Sequence, residues 1–126
     1  MTTSTLRISS AWGEVIAELE ANAAAETLLG LLPLTLSMHD HMRQEKTASL
    51  PSPLPELTRQ KAFSVGMLGL WGSDDFVIYY RSGRVPSPGI IVLGQVTGDV
   101  SIFDRPGTVS VTIEHLNRHA LVRRQE

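Results

Sequence analysis

Residues 76–114 read FVIYYRSGRVPSPGIIVLGQVTGDVSIFDRPGTVSVTIE. Four apolar runs rich in β-branched residues, Phe76–Tyr80, Ile90–Val96, Val100–Phe103 and Thr108–Ile113, alternate here with clusters of Gly, Pro and Asp. Short runs of this kind bounded by turn residues predict antiparallel strands, and so a compact barrel or sandwich. Thr97-Gly98-Asp99 and Asp104-Arg105-Pro106-Gly107 supply two of the turns, with Pro106 at a fixed-φ position and Gly107 free to take positive φ.

The upstream half fits the same plan. Thr5–Ser9 alternates as a strand, a turn follows around Trp12 and Gly13, and Glu14–Leu19 is a second strand. Ala23–Leu32 is the strongest helical run: Ala24, Leu28, Leu31 and Leu32 fall on one stripe. Asn22 suits the N-cap, where its side chain accepts from free backbone N–H groups. Pro33 ends the helix by pushing the preceding residue out of the α region. Leu34–His41 alternates as a strand, with Leu34, Leu36 and Met38 on one face. Met42–Glu56 is polar and then proline-rich, which predicts a long excursion over the barrel surface. Gly66–Trp71 reads as a short, glycine-weakened strand.

The chain has 126 residues, which suits a single domain over residues 1–126, with 116–126 as a terminal extension. It has no cysteine, which excludes disulfides and thiolate metal sites and fits a reducing, cytoplasmic setting. The start, MTTSTLRISSAWGEV, lacks the basic and apolar regions of a signal peptide, and no apolar stretch is long enough to cross a bilayer. A net charge of -2 gives no reason to expect nucleic acid as a partner. Arg118, Arg123 and Arg124 read as a solvated tail.

Several blocks together resemble a family of small bacterial proteins with a cyclophilin-like fold. They are LLPLTLSMHDHMRQEKTASLPSPLP, SVGMLGLWGSDDFVIYY, PSPGIIVLGQVTGDVSIF and TVSVTIE. The resemblance spans roughly residues 5–115. It implies a mainly β protein: a closed eight-stranded barrel with one main helix at about residues 22–32. It also implies a family whose biochemical role is largely unassigned. Cyclophilins proper isomerise X-Pro bonds, using an arginine in a Phe-His-Arg type motif followed by Phe-Met-x-Gln. The nearest string here is His39-Asp40-His41-Met42-Arg43-Gln44, which lacks that continuation, so no catalytic residue is carried across.

His39-x-His41-x-x-x-Glu45 has the spacing of the first metal motif of cupins, another small-barrel family. The glycines that flank that motif are replaced by Pro33 and Ser52, and His115 does not stand in a second motif. No metal or cofactor is therefore expected. Glu45 and Lys46 read as loop charges, with Glu45 retained as a candidate site carboxylate. Tyr79, Tyr80, Arg81 and Arg84 bracket the turn around Pro86 and supply an aromatic face and planar donors for a carboxylate or phosphate. The expected ligand-binding set is thus His39, His41, Glu45, Tyr80, Arg81 and Arg84. The expected function is a small soluble barrel that binds a small molecule or peptide without strong catalysis, and a homo-oligomeric assembly is compatible with it. A prolyl isomerase, or a metal-dependent cupin-like enzyme, is the alternative.

Overall fold

A computed structural model describes residues 4–116. The elements in chain order are β1 (Thr5–Ser10), β2 (Gly13–Leu19), α1 (Ala23–Leu31), β3 (Leu34–His41), β4 (Glu45–Ser49) and β5 (Ala62–Phe63). They continue as β6 (Met67–Trp71), β7 (Asp75–Tyr79), β8 (Gly83–Arg84), β9 (Ile90–Val96), a 3₁₀ turn at Val100–Phe103 and β10 (Val109–Leu116). Eight strands close into an antiparallel barrel in the order β1-β10-β3-β4-β7-β6-β9-β2. β5 and β8 pair with each other outside it.

The pleat sorts the side chains. Leu36 and Met38 of β3, Ala48 of β4, Phe76 and Ile78 of β7, Leu68 and Leu70 of β6, and Ile91 and Leu93 of β9 fill the interior. Val77, Tyr79 and Ile90 point outward and form a second, smaller cluster with Phe63. The β5–β8 ribbon covers that outer cluster, and the Phe63 ring stacks on Tyr79 with centroids 4.0 Å apart. Phe63 also explains Gly83: a Cβ there would stand 2.8 Å from the Phe63 ring.

The two barrel ends are closed differently. α1 connects β2 to β3 across one end, burying Ala24, Ala25 and Leu28. Asn22 caps it by accepting from the Ala25 backbone N–H at 2.8 Å, and Leu32 before Pro33 is extended. Leu50 and Leu54 also enter the core. The loop that carries them is tied down by Arg59, which donates to the carbonyls of Gly72 at 2.7 Å and Gly89 at 3.0 Å and forks onto Glu56. The opposite end, with the β1–β2 and β3–β4 turns, is covered by residues 99–108.

Two expectations are corrected. Val100–Phe103 is a 3₁₀ turn, not a strand. Asp99 caps it, its Oδ1 accepting from the Ser101 N–H, and Val100 and Phe103 are buried as the turn's inner face. A four-residue apolar run does not distinguish these two conformations. The Met42–Glu56 excursion is also too long: Glu45–Ser49 is a full barrel strand between β3 and β7. Its polar sequence misled because Glu45 and Lys46 are both buried. The remaining excursion starts at Leu50. Arg118, Arg123 and Arg124 lie outside the described residues.

Among the described residues no helix is long and apolar enough to cross a membrane. Leu28→Ala should destabilise the barrel by about 2–5 kcal/mol, the range for a buried leucine. Gly30 lies in the same helix, and a Cβ there meets nothing within 4 Å. Gly30→Ala should therefore stabilise by about 0.5–1 kcal/mol. Urea unfolding of the two variants checks both signs.

Candidate functional site

Two groups of polar side chains arise from adjacent positions on the same strands. In β3, Asp40 faces the interior and His41 the outside. In β4, Lys46 faces inward and Glu45 outward. Their ladder partners are Asp40↔Lys46, His41↔Glu45 and Glu45↔Tyr79.

The inward group is fully paired. The Lys46 ammonium, sealed from solvent, donates to Asp40 Oδ1 at 3.1 Å and to the carbonyls of Arg105 at 2.6 Å and Gly107 at 2.9 Å. It also lies 5.0 Å from the centroid of the Trp12 ring. Tyr80 donates its hydroxyl proton to Asp40 Oδ1 at 2.5 Å. Arg43 donates to the Tyr80 oxygen and to Asp104, each at 3.0 Å, and Arg81 donates to Asp104 at 3.1 Å. Burial pushes Asp40 upward. Hydrogen bonds from Tyr80 and Lys46, with the charges of Lys46 and Arg43, outweigh it and hold the carboxyl below its ordinary value. Burial first, and the hydrogen bond to Asp40 second, push the Tyr80 phenol upward.

The outward group is open. Two adjoining cavities of about 260 Å³ each lie against the outer wall. Both are lined by His41, Glu45 and Trp71. One adds Met42, Gln44, Tyr79 and Arg84 to Pro86; the other adds His39, Thr47, Ser49 and Asp75. Together they form one groove with Glu45 and His41 at its centre.

Glu45 is only 6% exposed, and its Oε1 accepts from Gln44 at 2.7 Å. Among the described residues nothing hydrogen-bonds its Oε2, and that oxygen is not sealed from solvent, so it opens into the groove. Burial pushes the carboxyl above its ordinary value, against the opposing pull of Gln44 and His41. Tyr79 is 1% exposed, and its hydroxyl likewise has no partner among the described residues. Burial raises its pKa, and the charge of Glu45 adds to the effect. The ring is held between Phe63 and the bare Gly69, where a Cβ would come within 3.3 Å of it.

The β3–β4 turn joins the two groups. Met42 and Arg43 both take positive φ, 54° and 52°, which costs a non-glycine residue about 1–2 kcal/mol each. Gln44 N–H closes the turn onto the His41 carbonyl, and Asp40 accepts from the Arg43 N–H. The turn sends Arg43 into the paired network and leaves Met42 76% exposed at the rim of the groove.

Of the six residues expected from the sequence, His39, His41, Glu45 and Arg84 line the groove. Tyr80 and Arg81 belong to the paired network at the barrel end, and no cavity described above includes them. Sequence reasoning missed Trp71 as a groove wall, and it placed Tyr79 in one wall with Tyr80 without carrying it into the expected set. The rung His41–Glu45–Tyr79 needed the strand register, although Trp71 and Tyr79 at odd positions of alternating strands carry the outward parity. Among the described residues no three imidazole or carboxylate groups converge to hold a metal ion.

The chain belongs to the Cyclophilin-like family, whose profile matches residues 8–114. The fold is similar to the solution structure of a hypothetical protein from Archaeoglobus fulgidus, with a TM-score of 0.70 at 13% identity, covering 90% of this chain and 95% of that one. No curated protein matches the sequence.

The two carboxylates should titrate with opposite effects on stability. Asp40, lowered on folding, contributes stability above its ordinary value of 3.8, and that contribution is lost as pH falls through the folded value. Glu45, raised on folding, favours the folded state below its ordinary value of 4.5, and the advantage is lost as pH rises through the folded value. Glu45→Gln should thus leave stability little changed in acid and raise it near neutrality, by about 1 kcal/mol for removal of a partly desolvated charge. Lys46→Met should cost about 3 kcal/mol, because Asp40 loses its nearer cation and the Arg105 and Gly107 carbonyls lose their donor. Denaturant unfolding across pH measures all three.

Proposed function

We propose that this member of the Cyclophilin-like family is a ligand-binding barrel. Its site is the outer-wall groove centred on Glu45, and it takes a small molecule or a short peptide segment. The observation that carries this reading is the contrast between the two polar groups. The Asp40–Lys46–Tyr80 group satisfies its donors and acceptors internally and serves the scaffold. Glu45 Oε2 and the Tyr79 hydroxyl, on residues more than nine-tenths buried, are left open in a concave, aromatic-walled groove. Buried polar groups in folded proteins are overwhelmingly paired, so open ones aimed at a cavity mark a place that a ligand completes.

The rest of the groove supports binding over catalysis. Arg43 is the arginine of the string nearest the cyclophilin motif, and its guanidinium is engaged by Tyr80 and Asp104. Those contacts hold it in the network at the barrel mouth, and it lines neither cavity of the groove. The hydroxyls of Thr47 and Ser49 share a cavity with His41 and Glu45, and among the described residues neither is hydrogen-bonded to them. The lack of cysteine fits a cytoplasmic site of action, and we include that location in the proposal.

A thermal-shift screen of amphipathic small molecules and short peptides should yield stabilising ligands. Their effect should vanish in Trp71→Ala and persist in Arg81→Ala, which touches only the paired network. Hits that survive Trp71→Ala would place the site elsewhere. An X-Pro peptide assay should show no turnover; turnover abolished by Arg43→Ala would instead establish an isomerase.

A further inference from the structure

The groove's chemistry also narrows its ligand, on the premise that the groove is the binding site. Its ionisable groups are unequal. Arg84 is exposed, so its guanidinium keeps its water and gains little from an anionic partner. His39 and His41 are exposed as well. Glu45 differs because it is buried, retains one protein hydrogen bond and holds Oε2 bare. A carboxylate in that position loses solvation without gaining a counter-charge, and burial dominates its perturbed titration. A ligand's greatest gain in this groove comes from supplying that missing charge.

The surroundings suit a cation further. Trp71 lines both cavities together with Glu45, and its aromatic surface favours positive charge over negative. Asp75 adds a second carboxylate in the adjoining cavity. Its Oδ1 accepts only from Ser49 at 3.3 Å among the described residues. Val85, Pro86 and Met42 supply apolar wall for an uncharged body. A neutral amide N–H would satisfy Oε2 geometrically but leave the buried charge uncompensated.

We infer that the groove recognises an organic ammonium: a primary or secondary amine on a small apolar or aromatic body. The ammonium donates to Glu45 Oε2, the Tyr79 hydroxyl hydrogen-bonds a second polar atom of the ligand, and the body lies against Trp71, Val85 and Pro86.

The test uses calorimetric titration of the full chain with three matched probes: phenethylamine, 2-phenylethanol and phenylacetate. The amine should bind at least tenfold more tightly than the alcohol or the acid. Glu45→Gln, which is expected to fold with undiminished stability, should reduce amine affinity tenfold or more and bring it level with the alcohol. Tyr79→Phe should reduce it several-fold. Amine binding that survives Glu45→Gln overturns the assignment. Phenylacetate binding more tightly than the amine, with its affinity lost in Arg84→Ala, keeps the groove as the site but makes it an anion site. Failure of all three probes to bind, while unrelated ligands from the thermal-shift screen respond to Trp71→Ala, rejects the ammonium and retains the groove. If those ligands ignore Trp71→Ala as well, the groove itself is rejected.

Discussion

The buried ammonium of Lys46 is the interaction on which the closed end of the barrel depends. A lysine sealed from water carries a desolvation cost of several kcal/mol, and only a full set of partners offsets it. Here Asp40 supplies the counter-charge, while the carbonyls of Arg105 and Gly107 take the other two protons. Those two carbonyls lie in the loop that leads into β10. Lys46 therefore pins the 104–107 loop over the barrel mouth, and Trp12 closes over it with Arg105, whose guanidinium lies 4.7 Å from the ring. Without the lysine, that loop would present unpaired carbonyls to an apolar interior.

This arrangement also sets the character of the outer wall. Asp40, Tyr80, Arg43, Arg81 and Asp104 are committed to the mouth and do not compete for the groove. The strained Met42–Arg43 turn is tolerated because Arg43 is held at both ends, by its backbone to Asp40 and by its guanidinium to Tyr80 and Asp104. On the outside, the Phe63 stack, Gly69 and Gly83 fix the Tyr79 ring through the protein's own packing. A polar group held in place before binding loses less entropy on binding than one that must be ordered.

The sequence announced much of this fold because the barrel strands alternate or are β-branched and their turns carry Gly, Pro and Asp. Asn22 and Pro33 likewise mark the two ends of α1 by local chemistry. β4 was illegible for a definite reason. Glu45-Lys46-Thr47-Ala48-Ser49 has the composition of a loop, and only the tertiary partners of Lys46 make it a strand. Val100–Phe103 failed in the opposite sense, since its apolar content reports burial without conformation. The site was half legible. Histidines at i and i+2 gave His39 and His41 a shared face, but nothing local told Tyr79 from Tyr80. That choice rests on the register with β4, which a polar strand hides.

The same register explains why scaffold and site are neighbours in sequence. Asp40/His41, Lys46/Glu45 and Tyr80/Tyr79 are three adjacent pairs, each split by the pleat into one inward and one outward member. The inward members assemble the plug at the mouth, and the outward members form a single rung across β3, β4 and β7. A shift of one residue in β4 would exchange the roles, burying Glu45 in the mouth and exposing Lys46 in the groove. The plug forbids that shift, because Glu45 could neither pair with Asp40 nor donate to the Arg105 and Gly107 carbonyls. The buried lysine thus holds the carboxylate of the groove in place through the backbone they share. The groove keeps an open oxygen on Glu45 because Lys46 beside it carries the structural pairing.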